Sequence, residues 1–193
     1  MIYLLAIVLS LVVIALLSLV TSSRAARRSG LPSGQLIYSD TGFAVGHIAP
    51  TTLNEEGVKQ ERPLVSARFR LTGRPDYLVR TGEGIIPIEA KSTILPANGK
   101  PYNSHVMQLA AYCLLVEDVL GENVPYGVVR YANGEVAVDY TPELREELIA
   151  LLEEMSEARL ADDVHRSHSD ARRCKGCSMR ESCDEALKSK DEG

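Results

Sequence analysis

Short stretches in the middle of the chain either alternate between apolar and polar residues or are apolar throughout, as strands in a folded sheet do. Five stretches are predicted as strands on this basis: residues 67–71, 77–79, 85–88, 126–131 and 135–140. Turn residues lie at 81–84 and at 132–134, between neighbouring members of this set. Connections this short predict antiparallel hairpins.

Two further segments have apolar residues at helical spacing. The first predicted helix runs from His105 to about Leu120 and is largely apolar. The second runs from Thr141 to about Ala161, with the threonine as its cap and Pro142 at the first helical position. Together, these elements predict an α/β fold in which a mixed central sheet is flanked by helices and the cysteine-containing tail folds back on it.

The N-terminus has the pattern of a membrane span. Residues 2–20 are apolar except for two serines, and a helix of this length nearly crosses a hydrocarbon core of about 30 Å. A cleaved signal peptide is the alternative, but no positive residue precedes the apolar run. Arg24, Arg27 and Arg28 follow the run, so the positive-inside rule places the C-terminal domain in the cytoplasm.

These signals divide the chain into three parts. We expect a transmembrane helix at residues 1–23, a linker at 24–33, and one domain at 34–193 that includes a cysteine segment from about 165 to 187. The protein would then be a single-pass protein of the cell membrane that contacts the lipid bilayer through its N-terminal helix. A reducing cytoplasm also suits thiolate ligands better than disulfides.

The candidate chemistry lies on the 77–79 and 85–88 strands. Asp76 opens the first strand, Glu89 closes the second, and Lys91 follows two residues later on the same face. Antiparallel neighbours bring such ends together, where two carboxylates can share a Mg²⁺ or Mn²⁺ that also binds phosphate and water. The alternative is that Asp76 is a turn residue and that Glu89 and Lys91 form a solvated pair on a strand face.

The first helix adds Gln108 and Tyr112, one turn apart on one face. With these residues, the chain resembles the PD-(D/E)xK nuclease superfamily, and in particular its RecB-like branch, whose signature runs G-x-x-D, E-x-K and Q-x-x-x-Y. The resemblance implies a restriction-endonuclease-like core and a Mg²⁺- or Mn²⁺-dependent deoxyribonuclease.

The resemblance also implies roles for individual residues. Asp76, Glu89 and the main-chain carbonyl of Ala90 would hold the metal, and Lys91 would assist the attacking water. Gln108 and Tyr112 would orient that water or contact the DNA backbone. His105 lies one helical turn before the glutamine and could face the site as a further metal ligand, although a histidine at a helix start is more often a solvated or capping group.

Three cysteines near the C-terminus, Cys174, Cys177 and Cys183, have the spacing C-x2-C-x5-C, which suits a loop wrapped around a metal or cluster. This resembles the CRISPR-associated family-four exonucleases and the helicase-nucleases of the AddB type, in which three C-terminal cysteines and one distant N-terminal cysteine hold a [4Fe-4S] cluster. No cysteine precedes the nuclease motifs here. Cys113 is interpreted as a core thiol because it lies within an apolar helix.

The fourth ligand of such a cluster is open. Candidates are His165, His168, Asp40 and a solvent species. A Cys3His zinc site that uses His168 is a rival to the iron-sulfur cluster, because zinc favours four nitrogen and sulfur ligands at such spacings. A degenerate, empty site is the third possibility.

The formal net charge of −5 does not by itself indicate a nucleic-acid-binding protein. Basic residues are nevertheless concentrated near the two motifs: Arg68, Arg70 and Arg74 near the first, and Arg172, Arg173, Lys175 and Arg180 around the cysteines. They would contact DNA phosphates or be solvated surface charges.

Two functions are compatible with these patterns. The first is a membrane-anchored, metal-dependent DNA nuclease that acts as an exonuclease on single strands or ends. The second is a non-catalytic nuclease-fold module that binds DNA or serves as a scaffold at the membrane. The complete set of motif residues favours the nuclease. The absence of a cysteine before the nuclease motifs is compatible with the non-catalytic module.

Overall fold

The computed structural model describes Pro32 and residues 34–39 and 62–188. The strands are β1 (Gln35–Ser39), β2 (Leu64–Ser66), β3 (Leu71–Gly73), β4 (Tyr77–Thr81), β5 (Gly84–Ala90), β6 (Tyr126–Tyr131) and β7 (Gly134–Asp139). The helices are α1 (Asn103–Leu115), which continues as a π-helical turn (Val116–Leu120), α2 (Pro142–Ala158) and α3 (Ala171–Lys175), followed by a short 3-10 turn (Arg180–Ser182).

Five strands form one sheet in the order β1-β4-β5-β6-β7. The pairs β1/β4, β4/β5 and β6/β7 are antiparallel, and β5/β6 is parallel. A parallel pair needs a crossover connection, and α1 lies within the segment that joins β5 to β6. The predicted α/β fold with a mixed central sheet is confirmed for the described residues.

Helix α1 packs on one face of this sheet. Leu109 of the helix clusters with Val129 and Tyr131 of β6, and the later turns of α1 cluster with Leu78 and Ile85. The opposite face is also apolar, so β5 is buried from Ile85 to Glu89 on both faces. A central strand buried in this way has an apolar run without alternation, and its burial fixes the position of the residues at its end.

A close approach between α1 and β6 depends on Gly127. A Cβ placed on this glycine would lie 2.7–2.9 Å from three side-chain carbons of Leu109. Real Cβ atoms essentially never come this close to a neighbour. Gly127 therefore lets the helix lie directly on the sheet.

One predicted strand was wrong. Residues 67–71 were expected to be extended, but residues 67–70 form the turn of a small hairpin between β2 and β3. The Oγ of Ser66 accepts a hydrogen bond from the N–H of Phe69, and Arg70 has a φ of 48°, in the left-handed region. Side-chain-to-backbone bonds of this kind stabilise turns, and here the turn overrides the local apolar alternation.

The second predicted helix begins where expected and ends earlier. The N–H of Leu144 donates to Oγ1 of Thr141 at 3.3 Å, which confirms the cap, and Pro142 is the first residue of α2. The helix ends at Ala158 and not near Ala161, because the N–H groups of Leu160 and Ala161 bond three residues back, in tight turns. The first predicted helix is confirmed, from Asn103 through the π-helical turn to Leu120.

The described residues divide into two compact units, with the boundary between residues 150 and 151. The first contains the five-stranded sheet, the β2–β3 hairpin and α1. The second contains the end of α2, helix α3 and the 3-10 turn.

The predicted membrane span at residues 2–20 and the linker at 24–33 lie outside the residues that the structure describes, apart from Pro32. Within the described ranges, no helix combines the length and the apolar character needed to cross a bilayer.

The contact at Gly127 gives a stability prediction. Gly127→Ala should lower the free energy of unfolding by about 1–3 kcal/mol, because the new methyl group displaces Leu109 and with it α1. Gly134→Ala is the matched control, since the nearest atom to a methyl group added there is 4.0 Å away and its φ lies outside the left-handed region. Urea unfolding monitored by circular dichroism measures both variants. Equal stability of the two variants would contradict the close packing of α1 on β6.

Candidate active site

The register of the β4–β5 hairpin brings the two candidate carboxylates together. Tyr77 pairs with Ile88, so Asp76 and Glu89 occupy the next positions along the two strands. The Oδ2 of Asp76 accepts a hydrogen bond from the main-chain N–H of Ala90 at 2.6 Å. This bond fixes the Asp76 carboxylate beside the end of β5.

A closed hydrogen-bond network joins β5 to α1. The Oε1 of Glu89 accepts from Nζ of Lys91 at 2.7 Å and from Nε2 of Gln108 at 2.8 Å. The Oε1 of Gln108 accepts from the same lysine at 2.7 Å, and Nε2 of Gln108 also donates to the hydroxyl of Tyr112 at 2.8 Å. The structure therefore brings all five predicted residues, Asp76 included, to one place.

The amide of Gln108 has only one orientation that satisfies these contacts. Its oxygen faces the Lys91 ammonium, which can only donate, and its nitrogen faces the Glu89 carboxylate, which can only accept. The amide thus holds the ammonium and the carboxylate at fixed positions.

The electrostatics of the pair favour a cation. Glu89 is buried, with 5% of its surface exposed. Burial is the largest cause that raises its pKa, the hydrogen bond from Lys91 opposes this, and the nearby negative charge of Asp76 raises the pKa further. Two carboxylates that disfavour each other's charge in a buried position would be stabilised by a bound metal ion.

The donor set fits a hard divalent cation. The hydrogen bonds described above use one oxygen of each carboxylate, Oδ2 of Asp76 and Oε1 of Glu89. Carboxylate and carbonyl oxygens are the ligands that Mg²⁺ and Mn²⁺ prefer.

The position of the Tyr112 ring depends on Gly73, the glycine of the G-x-x-D motif. A Cβ on Gly73 would lie 2.8 Å from a Leu115 methyl group and 3.0 Å from the Tyr112 ring. The missing side chain thus makes room for the ring beside β3. Burial raises the pKa of Tyr112 to about 12, so its hydroxyl keeps its proton at neutral pH.

His105 lies beside the network and makes a different contact. Its Nδ1 is 2.8 Å from the hydroxyl of Tyr131. No hydrogen bond joins it to Asp76 or Glu89 in the part of the chain that the structure describes, so its role as a metal ligand stays a prediction. Burial, and then the positive charge of Lys91, lowers the pKa of His105. The sequence interpretation missed Tyr131, because only the parallel β5/β6 register places it near Lys91.

The cysteine segment does not present a ligand set. Cys174 is buried, Cys183 is half-buried and Cys177 is exposed. The Sγ of Cys174 accepts a hydrogen bond from the N–H of Leu187 at 3.4 Å. Among the described residues, no three side chains of His, Cys, Asp or Glu are placed to hold a metal ion. The predicted [4Fe-4S] cluster and the zinc alternative therefore find no support in the structure.

The candidate fourth ligands are distributed as follows. The Nδ1 of His165 is 2.9 Å from a Glu185 oxygen, and the Nδ1 of His168 is buried without a hydrogen-bond partner in the described chain. Asp40 lies outside the described residues. Cys113 is buried in the core cluster on α1, where burial raises the pKa of its thiol well above the usual value, which confirms its interpretation as a core thiol.

The basic residues of the two predicted groups lie on turns and on a short helix. Arg68 and Arg70 are exposed in the β2–β3 turn, where the Arg68 guanidinium is 5.0 Å from the centre of the Phe69 ring. Arg172 of α3 forms an ion pair with Asp170 at 3.0 Å. Their role as DNA-phosphate contacts stays a prediction.

A family model of the PD-(D/E)XK nuclease superfamily matches residues 22–184. No curated protein matches the chain significantly. Among solved structures, the chain is similar to the crystal structure of SSO0001, with 23% sequence identity and a TM-score of 0.44 over 61% of this chain and 52% of that chain. The chain thus spans about half the length of this relative, and a likeness of this degree carries no conclusion about function.

The raised pKa of Glu89 gives a pH prediction. Without metal, the folded state keeps the Glu89 proton at pH values where the unfolded state, with a pKa near 4.5, has lost it. The folded state therefore binds more protons, and its stability falls as pH rises through this window. The free energy of unfolding of the wild type minus that of Glu89→Gln should decrease above about pH 4.5 in EDTA.

Urea unfolding at a series of pH values measures this difference. Glu153→Gln, at an exposed position on α2, is the control and should give a constant difference. A wild-type-minus-Glu89→Gln difference that stays flat or increases with pH would show that the carboxylate of Glu89 is not destabilised by its surroundings.

Proposed function

The chain belongs to the PD-(D/E)XK nuclease superfamily, and we propose on this basis that it hydrolyses phosphodiester bonds of DNA with a divalent metal ion held by Asp76 and Glu89. The observation that supports the proposal most strongly is the network that joins Glu89, Lys91, Gln108 and Tyr112 beside Asp76. A charged pair on a solvated strand face would not need a buried glutamate or an amide from a second element.

Each residue has a role that follows from its position. Asp76 and Glu89, with the main-chain carbonyl of Ala90, would hold the Mg²⁺ or Mn²⁺. The bond from the Ala90 N–H keeps the Asp76 carboxylate beside the end of β5, where Glu89 lies. A bound ion would supply charge neutralisation at the scissile phosphate and a lower pKa for the attacking water.

Lys91 would act on the nucleophile or on the phosphate. Its ammonium donates to Glu89 and to Gln108, which together hold it beside the carboxylates. From this position a third N–H can donate to a phosphate oxygen or to the attacking water. Gln108 then positions Lys91 and Glu89, and Tyr112 positions Gln108 through its hydroxyl group.

The finer assignment rests on sequence motifs. The order G-x-x-D, E-x-K and Q-x-x-x-Y supports the RecB-like branch, and the cysteine spacing supports the CRISPR-associated family-four type, with exonucleolytic action on single strands or ends. The N-terminal apolar run and the arginines after it support a membrane anchor with a cytoplasmic domain. Sedimentation of the full chain with membranes, and its release only by detergent, would test the anchor.

The cofactor of the cysteine segment stays a prediction. The C-x2-C-x5-C spacing supports a [4Fe-4S] cluster or a zinc ion, whereas the described side chains form no such site. The iron and zinc content of protein purified anaerobically decides between the two metals, and absence of both would leave the segment without a metal. No catalytic step is assigned to it.

The nuclease assignment predicts the effect of two substitutions on activity. Glu89→Gln removes a metal ligand, and Lys91→Met removes the ammonium while keeping most of the length of the side chain. Each should lower cleavage of end-labelled DNA by about 100-fold or more, because loss of a metal ligand or of a positioned proton-transfer group has effects of this size. Chelation by EDTA should abolish wild-type cleavage.

Glu153→Gln is again the matched control and should cut at the wild-type rate. Cleavage retained in both site variants would remove the assignment of the active site. A folded wild-type protein that binds DNA and does not cut it with either Mg²⁺ or Mn²⁺ would favour the non-catalytic DNA-binding or scaffold module.

A further inference from the structure

Three aromatic rings lie together at the start of α1. The ring of Tyr102 is 5.3 Å from that of His105, centre to centre, in an edge-to-face arrangement with an angle of 73° between the ring planes. The His105 ring is 5.5 Å from that of Tyr131, and the two tyrosine rings are 6.5 Å apart. We call these three residues the aromatic cluster.

Hydrogen bonds to the hydroxyl of Tyr131 hold the aromatic cluster together. The hydroxyl of Tyr131 accepts from the main-chain N–H of Tyr102 at 3.2 Å and is 2.8 Å from Nδ1 of His105. Tyr131 itself is buried, with 4% of its surface exposed, whereas Tyr102 is 48% exposed. A rigid, buried ring thus supports a ring that faces solvent.

The cluster adjoins the candidate active site. His105 precedes Gln108 by three residues and lies on the same face of α1. Tyr131 follows Arg130, whose carbonyl accepts a hydrogen bond from the N–H of Lys91 at 2.7 Å. Lys91 is also close enough for its charge to act on the His105 ring.

The connection between Lys91 and α1 ends at the cluster. Residues 92–102 lead from the candidate catalytic lysine to Tyr102, and the N–H of Leu95 is bonded to the side chain of Asn133 in the β6–β7 turn at 2.7 Å. Because His105 contacts the Tyr102 ring and lies within reach of the charge of Lys91, a nucleotide whose phosphate lay at Lys91 would have its base near a solvent-facing aromatic ring.

We propose that Tyr102, supported by His105 and Tyr131, stacks against an unpaired base of the DNA strand whose phosphate lies at the candidate metal site. The inference rests on the proposed nuclease function and deepens it. Every base has a π face that can stack on an aromatic side chain. In a duplex that face is covered by neighbouring bases, so the aromatic cluster selects single strands and frayed ends.

The chemistry of the surroundings favours a base over an apolar partner. The exposed ring contacts His105, which lies within reach of the charge of Lys91 in the polar network. A nucleotide has a flat base that can stack on the exposed ring and a phosphate that can bind the metal ion and Lys91.

The test measures DNA binding without cleavage. The full chain is titrated with Ca²⁺ in place of Mg²⁺ or Mn²⁺, so that the carboxylate pair has a divalent ion with oxygen-ligand preference. The titrants are fluorescent single-stranded oligothymidylate and a blunt duplex, and affinity is read by anisotropy. Tyr102→Ala should weaken single-strand binding by about tenfold, within the range that stacking on one aromatic ring contributes. Tyr102→Phe keeps the ring and should stay within about twofold of the wild type. Binding to the blunt duplex should be the same in all proteins.

Two controls separate stacking from structural damage. Val65→Ala removes a similarly exposed apolar side chain on β2 and should leave binding unchanged. The Tyr102 side chain makes no capping bond to α1, so its removal does not take away a helix cap. A series of oligonucleotides is then used in which a single abasic residue occupies each position in turn. One abasic position should weaken wild-type binding and leave Tyr102→Ala binding unchanged.

Each other outcome would overturn the inference: no loss in Tyr102→Ala, an equal loss on single strands and duplex, or an abasic effect that persists in Tyr102→Ala. Failure of the nuclease assignment is a separate result. In that case, wild-type protein with Mg²⁺ or Mn²⁺ would cut no DNA, while the binding differences at Tyr102 would remain.

Discussion

The candidate site depends on the close approach of two carboxylates. Asp76 directly precedes β4 and Glu89 directly follows Ile88 on β5, next to the Tyr77–Ile88 pair of the hairpin. Each is instead held by donors from the protein: the Ala90 N–H for Asp76, and Lys91 and Gln108 for Glu89. Burial raises the pKa of Glu89, the hydrogen bond from Lys91 opposes this, and the charge of Asp76 raises the pKa further.

Several features of the fold serve this arrangement. β5 is a central strand that is buried on both faces, so the residues at its end cannot shift as those of an edge strand can. Gly127 lets α1 lie close against β6, and Gly73 leaves room for the Tyr112 ring. Because α1 is fixed in this way, Gln108 reaches the carboxylates. Natural proteins often give up stability at such sites in exchange for function.

The local part of the site could be predicted from the sequence. Asp76, Glu89 and Lys91 lie on two strands joined by a tight turn, and Gln108 and Tyr112 are one helical turn apart, so short-range periodicity places both groups. The position of Tyr131 depends on the parallel β5/β6 pairing, which no local pattern reveals.

One further pattern was misleading for a physical reason. The turn at residues 67–70 was mistaken for a strand, because a bond from Phe69 to the Ser66 side chain outweighs the alternation. The metal site inferred from the spacing of the three cysteines stays a prediction, since among the described residues these cysteines are not placed as a metal-binding group. A short sequence pattern leaves unspecified the contacts that decide the local structure.

The most direct test of the central assignment is a titration of the metal-free protein with Mn²⁺, followed by calorimetry and by the loss of the free-ion signal in electron paramagnetic resonance. Mn²⁺ prefers oxygen ligands to thiolates, so the titration reports the carboxylate pair and not the cysteine segment. Wild-type protein should bind the ion at a site that is lost in Asp76→Asn, while Asp163→Asn, at an exposed position, should bind as the wild type does. Equal binding by wild type and Asp76→Asn would contradict the assignment of Asp76 and Glu89 as the metal site.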